Sequence, residues 1–165
     1  MQGLRTFTTV VGVLLAGALC CGAADGETRA ARDTLVYVGS SAASGAGIHL
    51  FKLQTENLEV SQNITLVPLG LAAATPNPAF LEVDARRRFL FAANAIDELE
   101  GKPTGAVTAF AIDPASGKLT MINQRASMGR RPCQLALDKS QQRLLVAHCG
   151  SGGVAVMTVG PDGRL

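Results

Sequence analysis

The chain has 165 residues, room for one ordinary domain. With 47% hydrophobic and 17% charged residues it is too apolar for a disordered segment, and a net charge of +2 spread over scattered Lys and Arg excludes the basic footprint of a nucleic-acid binder. Its 18 Gly, 7 Pro and absent Trp point to many turns and leave no stretch for long helices beyond Thr34.

The first element in chain order is an address. Val10 to Ala24 is a continuous apolar run, preceded by a short segment carrying Arg5 and closed by Gly22, Ala23 and Ala24. That order is the three-part pattern of a secretory leader, with small residues placing cleavage after Ala24. The run is shorter than the ~20 residues of a spanning helix, so no stable membrane span is expected. An uncleaved anchor is the alternative. A lipoprotein signal fits poorly, because Leu19 precedes Cys20 and Cys20 precedes Cys21. The expected organisation is a leader over 1–24, a linker over 25–33 and a folded domain over 34–165. Export, periplasmic or extracellular, would leave Cys133 and Cys149 where disulfides are permitted.

From Leu35 the apolar residues come in short alternating runs divided by turn signals. In order they are LVYVG, GIHLFKL from Gly47, LEVSQNITL from Leu58, FLEVD from Phe80, RFLFAAN from Arg88 and GAVTAFAID from Gly105. KLTMINQ from Lys118, QLALD from Gln134, RLLVAH from Arg143 and GGVAVMTVG from Gly152 follow.

These runs repeat. Asn77–Asn94 aligns without a gap on Arg131–His148: Pro78 falls on Pro132, Asp84 on Asp138 and Ala93 on Ala147, each 54 positions on. The stretch ending at Leu119 matches the one ending at Leu165, and Gly47 opens a looser third copy. A period near 50 residues with four strands per unit predicts an all-β fold, a partial β-propeller of about two and a half antiparallel blades. A sandwich of unrelated hairpins would not produce the gapless self-match. Strand B of one blade is expected to open the domain and strand D of another to be starting at its end, so the remaining blades are missing from this chain.

In such a meander the B–C and D–A connections share one rim of the disc. That rim collects Asn77, Asn94, Asp97, Glu98, Lys102, Arg130, Arg131, Gln134 and His148. Arg130 and Arg131 offer guanidinium forks for a carboxylate or phosphate, or are an exposed pair. His148 offers a general base, the usual role of a histidine in proton transfer, or is a structural histidine; its repeat partner Asn94 does no acid–base work. Asn77, Asn94 and Gln134 complete a candidate binding set. Asp97, Glu98 and Glu100 read as a solvated loop, with no metal and no cofactor expected. No Walker or Rossmann glycine loop, serine elbow or metal-ligand spacing occurs.

The ordered set LVYVGS, NPAFLEVD, RFLFAAN, GAVTAFAIDPASGKLT, RPCQLALD and RLLVAHCGSGGVAV resembles the N-terminal part of the lactonase family of seven-bladed β-propellers, whose members include 6-phosphogluconolactonases and carboxymuconate cyclases. The resemblance covers nearly all of Thr34 to Leu165. It implies a lactone hydrolase acting on a small anionic sugar or related lactone, with much of the chemistry in blades beyond Leu165. The sequence departs from the family where Gln134 replaces a His and His148-Cys149 replaces an Asn-Tyr pair. A non-catalytic exported propeller that binds a ligand or partner is the alternative.

Cys133 and Cys149 flank one expected hairpin. Pairing Leu135 with Ala147, and Leu137 with Leu145, would set Cys133 opposite Cys149, within reach of a disulfide. Two free thiols are the alternative, because a slip of one residue turns the side chains apart. The sister repeat has Ala79 and Ala95 at these sites.

Overall fold

The computed structural model describes residues 11–16, 34–41, 46–56 and 63–165. Those residues form three antiparallel sheets without a helix. The first contains β1 (Val11–Ala16), β2 (Thr34–Ser40), β3 (Gly47–Glu56) and β4 (Asn63–Ala73). The second contains β5 (Pro78–Val83), β6 (Phe89–Asn94), β7 (Ala106–Ile112) and β8 (Leu119–Ala126). The third contains β9 (Pro132–Leu137), β10 (Arg143–His148) and β11 (Val154–Thr158). Each strand pairs with its neighbours in sequence order, so each sheet is a meander, and β1, β5 and β9 are the successive inner strands.

The sheets stack through alternate residues. Tyr37, Ile48 and Leu50 of the first pack on Leu81, Leu90, Ala92 and Phe110 of the second. Phe91, Ala93, Val107 and Ala109, on the other face of the second, pack on Leu135, Leu144, Val146 and Val159 of the third. The two-residue alternation of a strand sends neighbouring side chains to opposite faces, so each middle blade needs an apolar set on both. The all-β class and the repeat are both as the sequence predicts.

The turns follow from their acids. Asp84 accepts the amides of Arg88 (2.6 Å) and Phe89 (2.7 Å), and its repeat partner Asp138 accepts those of Gln142 (3.0 Å) and Arg143 (3.0 Å). A short carboxylate bonding the backbone ahead of it fixes the tight A–B reversal. At the C–D turn, Gly117 (φ 71°) brings its backbone against Tyr37, whose hydroxyl donates to the Gly117 carbonyl at 2.7 Å. A Cβ there would clash with Leu35 and crowd Leu50 and Tyr37, so the positive φ and the packing both favour glycine.

The domain opens as expected: β2, from Thr34, takes the second, strand-B place of its sheet, and Val11–Ala16, inside the apolar leader run, lies along it in the inner-strand position. The Val and Leu residues of that run suit a strand as well as a leader core. The cleavage position and the linker lie outside the described residues. Two expectations are corrected. The fourth strand is displaced, running to Ala73 through Pro68 and Gly70, with two register shifts against β3. Edge strands tolerate a proline that central strands do not, and β4 is an edge. Finally, the β9–β10 register is one residue away from the expected one: Leu135 faces Val146 and Gln134 faces Ala147. A bulge follows, so that Pro132 faces His148. Cys133 and Cys149 are not directly opposed, and both are free thiols.

Candidate functional site at the polar rim

Three connections meet at the rim ahead of β9. The segment from Met128 to Arg131 runs between the 95–105 loop of the second blade and the 149–153 loop of the third. The Gly105 amide donates to the Gly129 carbonyl (2.7 Å), and the Arg131 amide donates to the Ile96 carbonyl (3.1 Å). On the other side Cys149 donates to the Arg131 carbonyl (3.1 Å), and the Arg130 amide donates to Ser151 Oγ (3.0 Å). Ser127 and Thr104 hydroxyls add bonds to the Gly129 carbonyl. Met128 (φ 67°) and Arg131 (φ 52°) hold left-handed conformations, which the crossed hydrogen bonds over-determine. Asn77 (φ 40°) takes the same conformation at the equivalent place in the second blade.

Arg131 is already engaged. Its Nε and Nη2 form a bidentate pair with the Asp97 carboxylate, at 2.8 Å for the shorter contact. The hydrogen bonds to Asp97, and then its charge, push the guanidinium pKa above its ordinary value. Both groups are exposed, and an exposed pair of this kind is exchangeable with a solvent-borne anion. Arg130 is exposed beside it, and Gln134 is exposed on β9.

Asn94 and His148 occupy equivalent positions at the ends of β6 and β10, and they differ chemically. Asn94 is fully buried. Its Nδ2 donates to Thr75 Oγ1 (2.7 Å) and the Pro76 carbonyl (2.5 Å), and its Oδ1 accepts from Thr108 (2.6 Å). Gln124 in turn donates to the Thr108 hydroxyl at 2.8 Å. Asn94 is therefore a latch between loop and sheet. In the third blade the strand position of Thr108 is taken by Ala155, as the pairings of Ala92 with Thr108 and Val146 with Ala155 establish. His148, 6% exposed, lies under Gly129, and its Nε2 has no hydrogen-bond partner. A Cβ on Gly129 would meet the ring at 2.7 Å. Asn77 donates from Nδ2 to the Ala95 carbonyl at 2.7 Å, closing the equivalent loop.

The structure thus brings Arg130, Arg131 and His148 together around one loop, with Gln134 on the adjoining strand. Asn77 and Asn94 form a second group in the neighbouring blade. Sequence reasoning missed the Asp97 partner of Arg131, although Asp97 stood on the right rim. It also missed Gly129 and Ser151, which carry no chemical signature until the loops are folded together. Beside the rim a groove of about 510 Å³ is lined by Leu99, Lys102, Arg125, Met128, Met157 and Leu165. A wider depression of about 650 Å³ opens on the opposite rim among the A–B turns, where Arg86, Lys139 and Gln142 face solvent.

Antiparallel meanders stacked side by side along their inner strands, with polar connections gathered at one rim, are the blades of a β-propeller. Residues 35–165 match the family described as Lactonase, 7-bladed beta-propeller, and the chain belongs to that family. It is 34% identical over 130 residues to a 6-phosphogluconolactonase of Bacillus subtilis, covering 78% of this chain and 34% of that protein. It is 26% identical over 132 residues to a 6-phosphogluconolactonase of Formosa agariphila, covering 79% of this chain and 35% of that protein. Among solved structures it is similar to a Pseudomonas aeruginosa periplasmic gluconolactonase, with a TM-score of 0.60, 27% identity and coverage of 79% of this chain and 35% of that one. The chain spans about a third of the length of the relatives it matches.

Proposed function

We propose that this chain is part of a lactone hydrolase acting on an anionic sugar lactone or a related one, completed by further blades of the same kind. The observation that carries this reading is its 34% identity, along 78% of its length, to a 6-phosphogluconolactonase. The rim chemistry supports it. Lactone opening needs a water to attack the carbonyl and a charge to steady the anionic substrate. In this reading His148, whose Nε2 has no protein partner, is the group that deprotonates the water. Arg130 clamps the substrate anion, Arg131 joins it by exchanging Asp97, and Gln134 and Asn77 bond sugar hydroxyls. Asn94 contributes by holding the loop. Export through the leader belongs to the same reading, and the periplasmic neighbour supports it. Cleavage after Ala24 would remove β1 and pass the inner edge of β2 to another strand.

The test is a pH-stat assay of the polypeptide that carries this chain with its completing blades, using 6-phosphogluconolactone and unphosphorylated gluconolactone. Turnover of the phosphorylated lactone is expected, and Arg131→Ala should raise its KM by roughly tenfold or more, the worth of one charged hydrogen bond. The neutral lactone should be little affected. Equal losses on both would remove Arg131 from the clamp, and retained binding without any turnover would make the protein a binding module.

A further inference from the structure

We propose that Cys133 and Cys149 are a reversible dithiol–disulfide pair that staples the start of β9 to the loop after β10 and thereby sets the mobility of the adjoining Arg131 segment. Cys133 is the extra residue of the β-bulge: Gln134 faces Ala147 and Pro132 faces His148, which leaves Cys133 with no residue opposite. A bulge frees its residue from strict alternation, so a side chain that regular pairing would turn away reaches its neighbour's flank. Cys149 stands across from Arg131, with its amide (3.1 Å) and its thiol (3.3 Å) both on the Arg131 carbonyl. The Cys133 thiol lies over the Ala147 carbonyl at 3.6 Å, on the same end of the hairpin.

The second blade is an internal control. It keeps the same bulge, with Pro78 facing Asn94 and Phe80 facing Ala93, and the same cross-strand bond, from the Ala95 amide to the Asn77 carbonyl at 2.9 Å. There the two sites hold Ala79 and Ala95. The backbone takes this shape with methyl groups alone, so packing does not call for sulfur at either place. What the two cysteines add is chemistry.

The exposures set the order of events. Cys149 is exposed and Cys133 half-buried. Burial and the neighbouring Cys149 hold the Cys133 thiol above its ordinary pKa. With a small-molecule disulfide as oxidant, the Cys149 thiolate attacks one of its sulfurs and releases one thiolate. Cys133 then loses its proton to solvent and attacks Cys149 Sγ, releasing the second. Two thiols are oxidised by two electrons, and one disulfide is reduced to two thiols. Excess thiol runs the sequence backwards. The pair is independent of the lactonase reading and would serve a binding module equally.

The test equilibrates the chain in glutathione buffers of graded redox ratio, alkylates free thiols and maps tryptic peptides. The expected product joins the Cys133 and Cys149 peptides with the loss of two hydrogens, and reductant reverses it. In the oxidised form the amides of Cys149 and Gly150, which bond Arg131 and Arg130, should exchange about tenfold more slowly. Cys133→Ala and Cys149→Ala, which reproduce the second blade, should keep the far-UV spectrum and lose both the link and the slowing. Full alkylation of both cysteines at every ratio would overturn the proposal. So would separate glutathione adducts, or links to Cys20 or Cys21 in its place.

Discussion

At the scale of single residues, the contrast between Asn94 and His148 shows how one scaffold position separates latch from reactive group. Asn94 spends both ends of its amide on Thr75, Pro76 and Thr108. Replacing it by Ala leaves Thr108 and its neighbours short of partners in a buried place. A loss of about 2–3 kcal/mol is expected in urea unfolding. His148 carries no comparable set of bonds, so His148→Ala should cost less, and a larger cost would make it the structural residue of the two. Tyr37 gives a second prediction. It is the sequence's only tyrosine, buried beneath the C–D turn with its hydroxyl on Gly117. Burial, and then the Asp113 charge, push its pKa up to about 12 from 10.0. Because the folded value is raised, the unfolded chain releases the proton first. Tyr37's contribution is complete below pH 10 and is lost between about 10 and 12, amounting to roughly 2–3 kcal/mol. With no Trp in the chain, tyrosinate absorbance reads this directly. Native chain should titrate near 12 and chain in denaturant near 10.

At the scale of the element, the A–B turn is a carboxylate-organised reversal that the fold uses twice. Asp84 is buried, and beyond the Arg88 and Phe89 amides it also meets the Arg86 amide at 3.3 Å. Asp84→Ala strips the turn of these acceptors and should destabilise by about 2 kcal/mol, whereas Arg87→Gly, at an exposed left-handed position with φ 57°, should be neutral or slightly favourable. Chemical denaturation of the two variants against the parent would decide it. Asp138 repeats the device at the surface, where the Ser140 hydroxyl and then the Arg143 amide hold its pKa below the ordinary value. Its share of stability is therefore present above the ordinary carboxylate range and is lost as pH falls through its lowered folded value.

At the scale of the molecule, the repeat assigns the third blade an uncovered apolar face. Leu145 is the equivalent of Phe91 and Ala147 of Ala93. Val156 pairs with Leu145 as Ala109 pairs with Phe91, and Val154 pairs with Ala147 as Val107 pairs with Ala93. In the second blade that set is buried against the third. In the third blade Leu145, Val154 and Val156 are 40%, 67% and 62% exposed. A contiguous apolar face of this kind associates. The chain alone should migrate above its monomer mass in size-exclusion chromatography with light scattering. Val154→Glu with Val156→Lys should restore a monomer, and a monodisperse parent would contradict the inference.

The sequence alone determined the class of fold and the chain position of nearly every strand after Thr34, because those signals are local. Alternation, the turn acids Asp84 and Asp138 and the 54-residue spacing between Pro78 and Pro132 are all readable without knowing what touches what. It also put Arg131, His148 and Asp97 on one rim, because connectivity alone sorts the loops of a meander. Tertiary structure decided the rest. A bulge adds a single residue and leaves the alternation pattern legible either way, so the β9–β10 register and the relation of Cys133 to Cys149 stayed open until the strands were paired. The Arg131–Asp97 pair joins residues in different blades, and the burial of His148 depends on a glycine at position 129 whose missing Cβ lets the loop close over the ring. The apolar run at 11–16 has the composition of both a leader core and a strand, and its pairing with β2 is a non-local contact that composition does not reveal. Local propensity and spacing specify elements; which groups meet across them is set by packing, and packing is a property of the folded chain.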